Sequence, residues 1–104
     1  MIGDFMFSNI AMDPDTVYVS LSWGANRKRM ARLIVPGPVA AVLVAGGFPT
    51  PDQSEMSIAS SLSYAIYIGL LADVPVCLTG EASVWDAAWG NLCAQGQIYS
   101  LRRS

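Results

Sequence analysis

Residues 16 to 23 alternate without interruption: Val17, Val19, Leu21 and Trp23 fall on one side, Thr16, Tyr18, Ser20 and Ser22 on the other. A period of two is the mark of a strand with one face turned to a core. Gly24-Ala25-Asn26 then supplies turn residues and Arg29 to Val35 reads as a second strand, which predicts an antiparallel hairpin with Arg27 and Lys28 at its tip. A hairpin with one apolar face needs a layer to cover it, and the rest of the chain must supply that layer.

Pro36-Gly37-Pro38 ends the second strand, because proline cannot donate to a ladder and biases its predecessor away from helix. Val39 to Ala45 is apolar without alternation and bounded by turn residues, which predicts a third strand, covered on both faces and central in the sheet. After Gly46-Gly47, Asp52 is a suitable N-cap with Glu55 three residues later, so a helix is expected to about Leu71. Its second half is apolar around most of its circumference, as in a helix packed on a sheet on one side and on something else on the other. A strand is expected over Val74 to Thr79. Ser83 with Asp86 repeats the cap spacing for a second helix, Val84 to about Ala94, with Trp85, Trp89 and Leu92 as its stripe, and Gln97 to Arg103 closes the chain as a strand. Ile2, Phe5, Phe7 and Ile10 form an apolar N-terminal arm, an edge strand or a segment that crosses to a second subunit.

The order is β-β-β-α-β-α-β. It predicts an α+β fold with two helices on a mainly antiparallel or mixed sheet of about five strands, in a single domain spanning residues 1–104.

Charged residues make up 13 % of the chain and hydrophobic ones 53 %, against roughly 25 % charged in an average domain. So few charges cannot cover the surface, and the apolar remainder is expected to meet a second copy or a partner. The longest nearly apolar run, Ile58 to Leu71, holds three serines and two tyrosines and falls short of the roughly 20 residues of a membrane span. The N-terminus lacks the features of a signal peptide. A cytoplasmic protein is expected, with Cys77 and Cys93 as buried thiols.

The net charge is −2, which argues against bulk attraction to nucleic acid or an anionic membrane. The signs are nevertheless uneven: Arg27, Lys28, Arg29 and Arg32 form one cluster. An acidic protein surface suits it at least as well as a phosphate backbone, because no aromatic platform for bases is evident beside it.

There is no histidine, which removes Ser-His and Cys-His nucleophilic pairs, imidazole acid–base work and histidine metal sites. Neither a cofactor nor a metal is implied. Lys28 beside two arginines reads as a solvated cation. The closest carboxylate pairs, Asp13 with Asp15 and Asp52 with Glu55, sit where turns and helix starts ordinarily place acids. The pattern strand, glycine, helix occurs at VAGGFPTPDQSE and at LTGEASVWD. Two such ends side by side would form a crevice at Gly46, Gly47 and Gly80, a favoured ligand position in open sheets. No lysine or arginine lies near either loop, and both helix starts carry acids.

The function expected from these features is that of a non-enzymatic interaction module, an inhibitor or adaptor that occupies a partner's surface. By analogy alone, small acidic proteins with little catalytic equipment are common among phage and mobile-element products that block host machinery, anti-CRISPR inhibitors included. The basic hairpin (Arg27, Lys28, Arg29, Arg32) is the expected contact to the partner. Tyr64, Tyr67 and Ile68 on the first helix, with Phe5 and Phe7 on the arm, are the expected self-association surface. A small-ligand domain or unusual enzyme built on the glycine crevice, and a nucleic-acid-associated regulator using the hairpin, are the alternatives.

Overall fold

The computed structural model describes residues 4–8, 13–49 and 53–94. β2 (Val17–Trp23) and β3 (Arg29–Ile34) pair antiparallel, with Val19 opposite Leu33, Leu21 opposite Ala31 and Trp23 opposite Arg29. Residues opposite one another share a face, so Val17, Val19, Leu21, Ala31 and Leu33 make one apolar surface, and all five are buried. The reverse face carries Ser20, Ser22, Met30 and Arg32. Tyr18, on that reverse face, departs from the simple alternation. It is buried beside Cys77 and Thr79, and its phenol oxygen accepts the Asp13 N–H at 3.0 Å.

β5 (Val76–Gly80) lies parallel to β2, β1 (Asp4–Phe7) parallel to β5, and β6 (Asn91–Ala94) parallel to β1; β4 (Met56–Ser57) pairs antiparallel with β3 at the other edge. The order across the sheet is β4-β3-β2-β5-β1-β6. Among the described residues five strands have four or more residues and β4 has two, so with two helices the α+β class is as expected and the sheet is mixed. The N-terminal arm is neither an edge nor a crossing segment where it is described. β1 sits inside the sheet, with Phe5 opposite Leu92 and Phe7 opposite Leu78, both phenylalanines packed against the core. Ile2, Ile10, Asp52 and the strand expected at 97–103 lie outside the described residues.

Two expected elements differ. Residues 39–45 belong to a helix, α1 (Gly37–Ala45), not to a central strand. Pro36 is its N-cap and Pro38 lies in its first turn, where a missing N–H costs nothing, and the Gly46 N–H closes it on the Val42 carbonyl at 3.1 Å. Three alanines favour the helix, and Val39 and Leu43, one turn apart, enter the core. Residues 84–94 are not a helix: two 3-10 turns, Ala82–Val84 and Ala87–Trp89, lead into β6. Trp85 between them is extended at φ −76°, ψ 133°. Gly90 follows at φ 133°, a conformation that ends a helix. Asp86 still caps, accepting the Ala88 N–H at 2.9 Å, but it caps a single turn.

α2 (Ile58–Ala72) crosses the apolar face of β2, β3 and β5 with α1 beside it. Its N-cap is Ser57, whose hydroxyl accepts the Ser60 N–H at 3.2 Å; Glu55, expected as the partner in a capping box, instead accepts a hydrogen bond from Ser22. Ile58, Ser61, Ala65, Ile68 and Gly69 form the buried stripe, and the small size of Ser61, Ala65 and Gly69 lets the helix lie close to the sheet. Among the described residues no helix is long and apolar enough to cross a membrane.

Candidate functional site

Neither α1 nor α2 contains a charged residue. Each has an inner row for the core, Val39 and Leu43 in α1 and Ile58, Ala65 and Ile68 in α2. The outer rows are mostly apolar as well, broken in α2 by the exposed Ser60 and Ser63. Leu70 is 79 % exposed, and Val44, Tyr67, Tyr64, Val42, Ile66 and Phe48 are all open to solvent. Between the helices Leu43, Phe48, Tyr64, Tyr67 and Leu71 line a shallow cleft of about 120 Å³, so the two outer rows form a continuous surface. The expected self-association set divides here. Tyr64 and Tyr67 lie on this surface, whereas Ile68 is 2 % exposed in the core and Phe5 and Phe7 lie in an interior strand.

A second feature gathers at the hairpin end of the sheet. Asn26 and Arg27 both take left-handed backbone, at φ 57° and 56°, which is unusual for arginine and brings a steric cost. The Arg27 guanidinium lies 4.9 Å from the centre of the Trp23 ring. Arg29 lies 5.7 Å from Trp23 and 5.5 Å from Trp89, and its Nε donates to the Val84 carbonyl at 2.9 Å. Trp23 donates from its indole to Ser83 Oγ at 3.3 Å. Behind this row Trp85 meets Phe5 and Trp89 edge-on, each at 5.1 Å, and donates to the Gly90 carbonyl at 3.0 Å. Edge-on pairs and cation–aromatic contacts each contribute about 0.5–1.5 kcal/mol beyond burial, enough to hold this group in one arrangement.

The four cations therefore do not make one patch. Strand alternation sends Arg32 to the reverse face opposite Ser20, while Arg29 stands opposite Trp23 on the core side, with Arg27 and Lys28 exposed at the tip. Aromatic residues do stand beside the hairpin cations, Trp23 and Trp89. Trp23 could be read from the register of the hairpin; Trp89 could not, because it comes from a segment that was expected to be helical.

The glycine crevice is not assembled. Gly46 and Gly47 end a helix and not a strand. Gly80 ends β5, where its role is steric: at φ 89°, a Cβ there would run into the Leu21 carbonyl oxygen and lie 2.9 Å from the Leu21 nitrogen. The carboxylate pairs are structural where they are described, since Asp13 Oδ1 accepts the Asp15 N–H at 2.8 Å to close a turn. Burial, with a smaller contribution from the Asp13 carboxylate, pushes the Cys77 thiol up to about 11, so it is not the thiolate a nucleophile requires at neutral pH. Among the described residues no three His, Cys, Asp or Glu side chains are grouped to hold a metal ion.

No family model, curated protein or solved structure matches the chain.

Proposed function

We propose that the protein is a non-enzymatic interaction module whose working surface is the helical layer, and that this surface pairs two copies of the chain. The observation that carries this is the outer face of α1 and α2, mostly apolar and without charge in either helix. Burying a fully exposed leucine is worth roughly 1.5–3 kcal/mol, and tyrosines are among the residues that most often dominate interfaces. In a two-fold interface each patch meets its own copy. An uncharged patch meets itself without like-charge repulsion, and antiparallel α2 helices would set opposite dipole ends together. Pairing through the helices leaves the hairpin tip open, where Arg27 and Lys28 suit a carboxylate-rich protein partner.

Light scattering tests it. At tens of micromolar the mass should be twice the chain's 11.1 kDa, and it should stay so in high salt, because an apolar contact is little affected by screening. A mass of one chain that does not change with concentration would overturn the reading.

A further inference from the structure

Phe5, Ile58, Ala59, Leu62, Trp85 and Trp89 enclose an open-mouthed apolar cavity of about 240 Å³ between α2, β1 and the turns that precede β6. An apolar cavity of roughly 150 Å³ accepts benzene, so there is room here for a benzene-sized ring with a short chain. The walls are fixed. Ile58 and Trp85 are buried, and Trp85 is tied to the Gly90 carbonyl and stacked edge-on to Phe5 and Trp89.

Trp89 is also one of the two indoles against which Arg29 rests. With Nε committed to the Val84 carbonyl, the planar guanidinium still has its two terminal nitrogens, the edge that takes a carboxylate through paired hydrogen bonds. Arg29 is exposed, and Arg27 on the neighbouring Trp23 adds a second positive charge. A cation held in place before the ligand arrives loses little side-chain freedom on binding.

We infer that the shared Trp89 joins these two parts into one binding site for an apolar carboxylate, with an aryl or branched alkyl group in the cavity and its carboxylate on Arg29. A free carboxylic acid and the C-terminal residue of a peptide both carry this chemistry. Its α2 residues, Ala59 and Leu62, are not among the large exposed side chains of the helical layer, and the inference does not rest on self-association.

The test is an NMR titration of the full chain that follows the indole N–H signals of Trp85 and Trp89. The probes are 3-phenylpropionate, the peptide Ala-Ala-Phe, and the carboxamide of each. At least one acid should saturate with Kd of about a millimolar or tighter and bind about tenfold better than its amide. Which of the two does so identifies the source of the ligand. R29K should weaken that preference, since an ammonium keeps the charge but neither the fork nor the planar stack. A59F should block binding by filling the mouth with Arg29 intact, which keeps the test decisive if R29K does not fold. R32Q, on the reverse face, should bind as the unmodified chain does. Equal binding of acid and amide, or no saturation by either acid up to about 10 mM, would overturn the inference.

Discussion

Gly80 shows how a single residue can decide how closely two strands approach. The Glu81 N–H donates to the Leu21 carbonyl at 3.0 Å, which draws the end of β5 against β2, and only a residue without a Cβ fits at φ 89° beside that carbonyl. G80A should therefore destabilise the fold by about 2–4 kcal/mol, from left-handed backbone strain together with a backbone clash. Urea denaturation measures it, and a loss below about 0.5 kcal/mol would show that the strand end can relax. Glycine in the sequence signals a turn but does not say which. The glycines at 46, 47 and 80 suggested a common ligand crevice, whereas the structure uses Gly46 and Gly47 to end α1 and Gly80 to let β2 approach. Trp85 and Trp89 illustrate the same limit. Their spacing suits one face of a helix, and they do touch, but across a 3-10 turn.

At the scale of elements, legibility followed the hydrophobic period. The hairpin was readable because alternation fixes both face and register, and α2 was readable over most of its length because fifteen residues without proline exceed any ordinary strand. α1 was not readable as a helix, since nine residues apolar on every side give no period and valines suit strands as well. The parallel placement of β1 and β6 was also hidden, because nothing local specifies a partner that far along the chain. α2 itself ends on Asp73 in left-handed backbone at φ 57°, with the Val74 N–H returning to the Gly69 carbonyl at 3.0 Å. A carboxylate at the negative end of a helix and a side chain at positive φ are both unfavourable. D73G should raise stability by about 1 kcal/mol, read as a shift of the urea midpoint without a change of slope. A midpoint that stays or falls would mean that the Asp73 carboxylate makes a compensating contact.

For the whole molecule, the shortage of charge seen in the sequence has a definite location. The core takes one row of each helix, the reverse face of the sheet takes serines and Arg32, and the apolar surplus collects on the outer rows of α1 and α2. Composition alone indicated that such a surface must exist. The all-round apolar run of α2 pointed equally to Tyr64, Tyr67 and Ile68; the two tyrosines are exposed and Ile68 is buried, because such a helix does not reveal which side faces inward. The central claim is that this surface is covered in solution, and a soluble paramagnetic relaxation agent tests it directly on the methyl groups. In a single chain Leu70 and Val44, at 79 % and 63 % exposed, should relax at least as fast as protons on the hairpin tip. If two copies pair through the layer, those methyls should be protected at high concentration, with the tip still fully relaxed, and should lose protection on dilution. Leu70 and Val44 methyls that relax as fast as the hairpin tip at every concentration would contradict it.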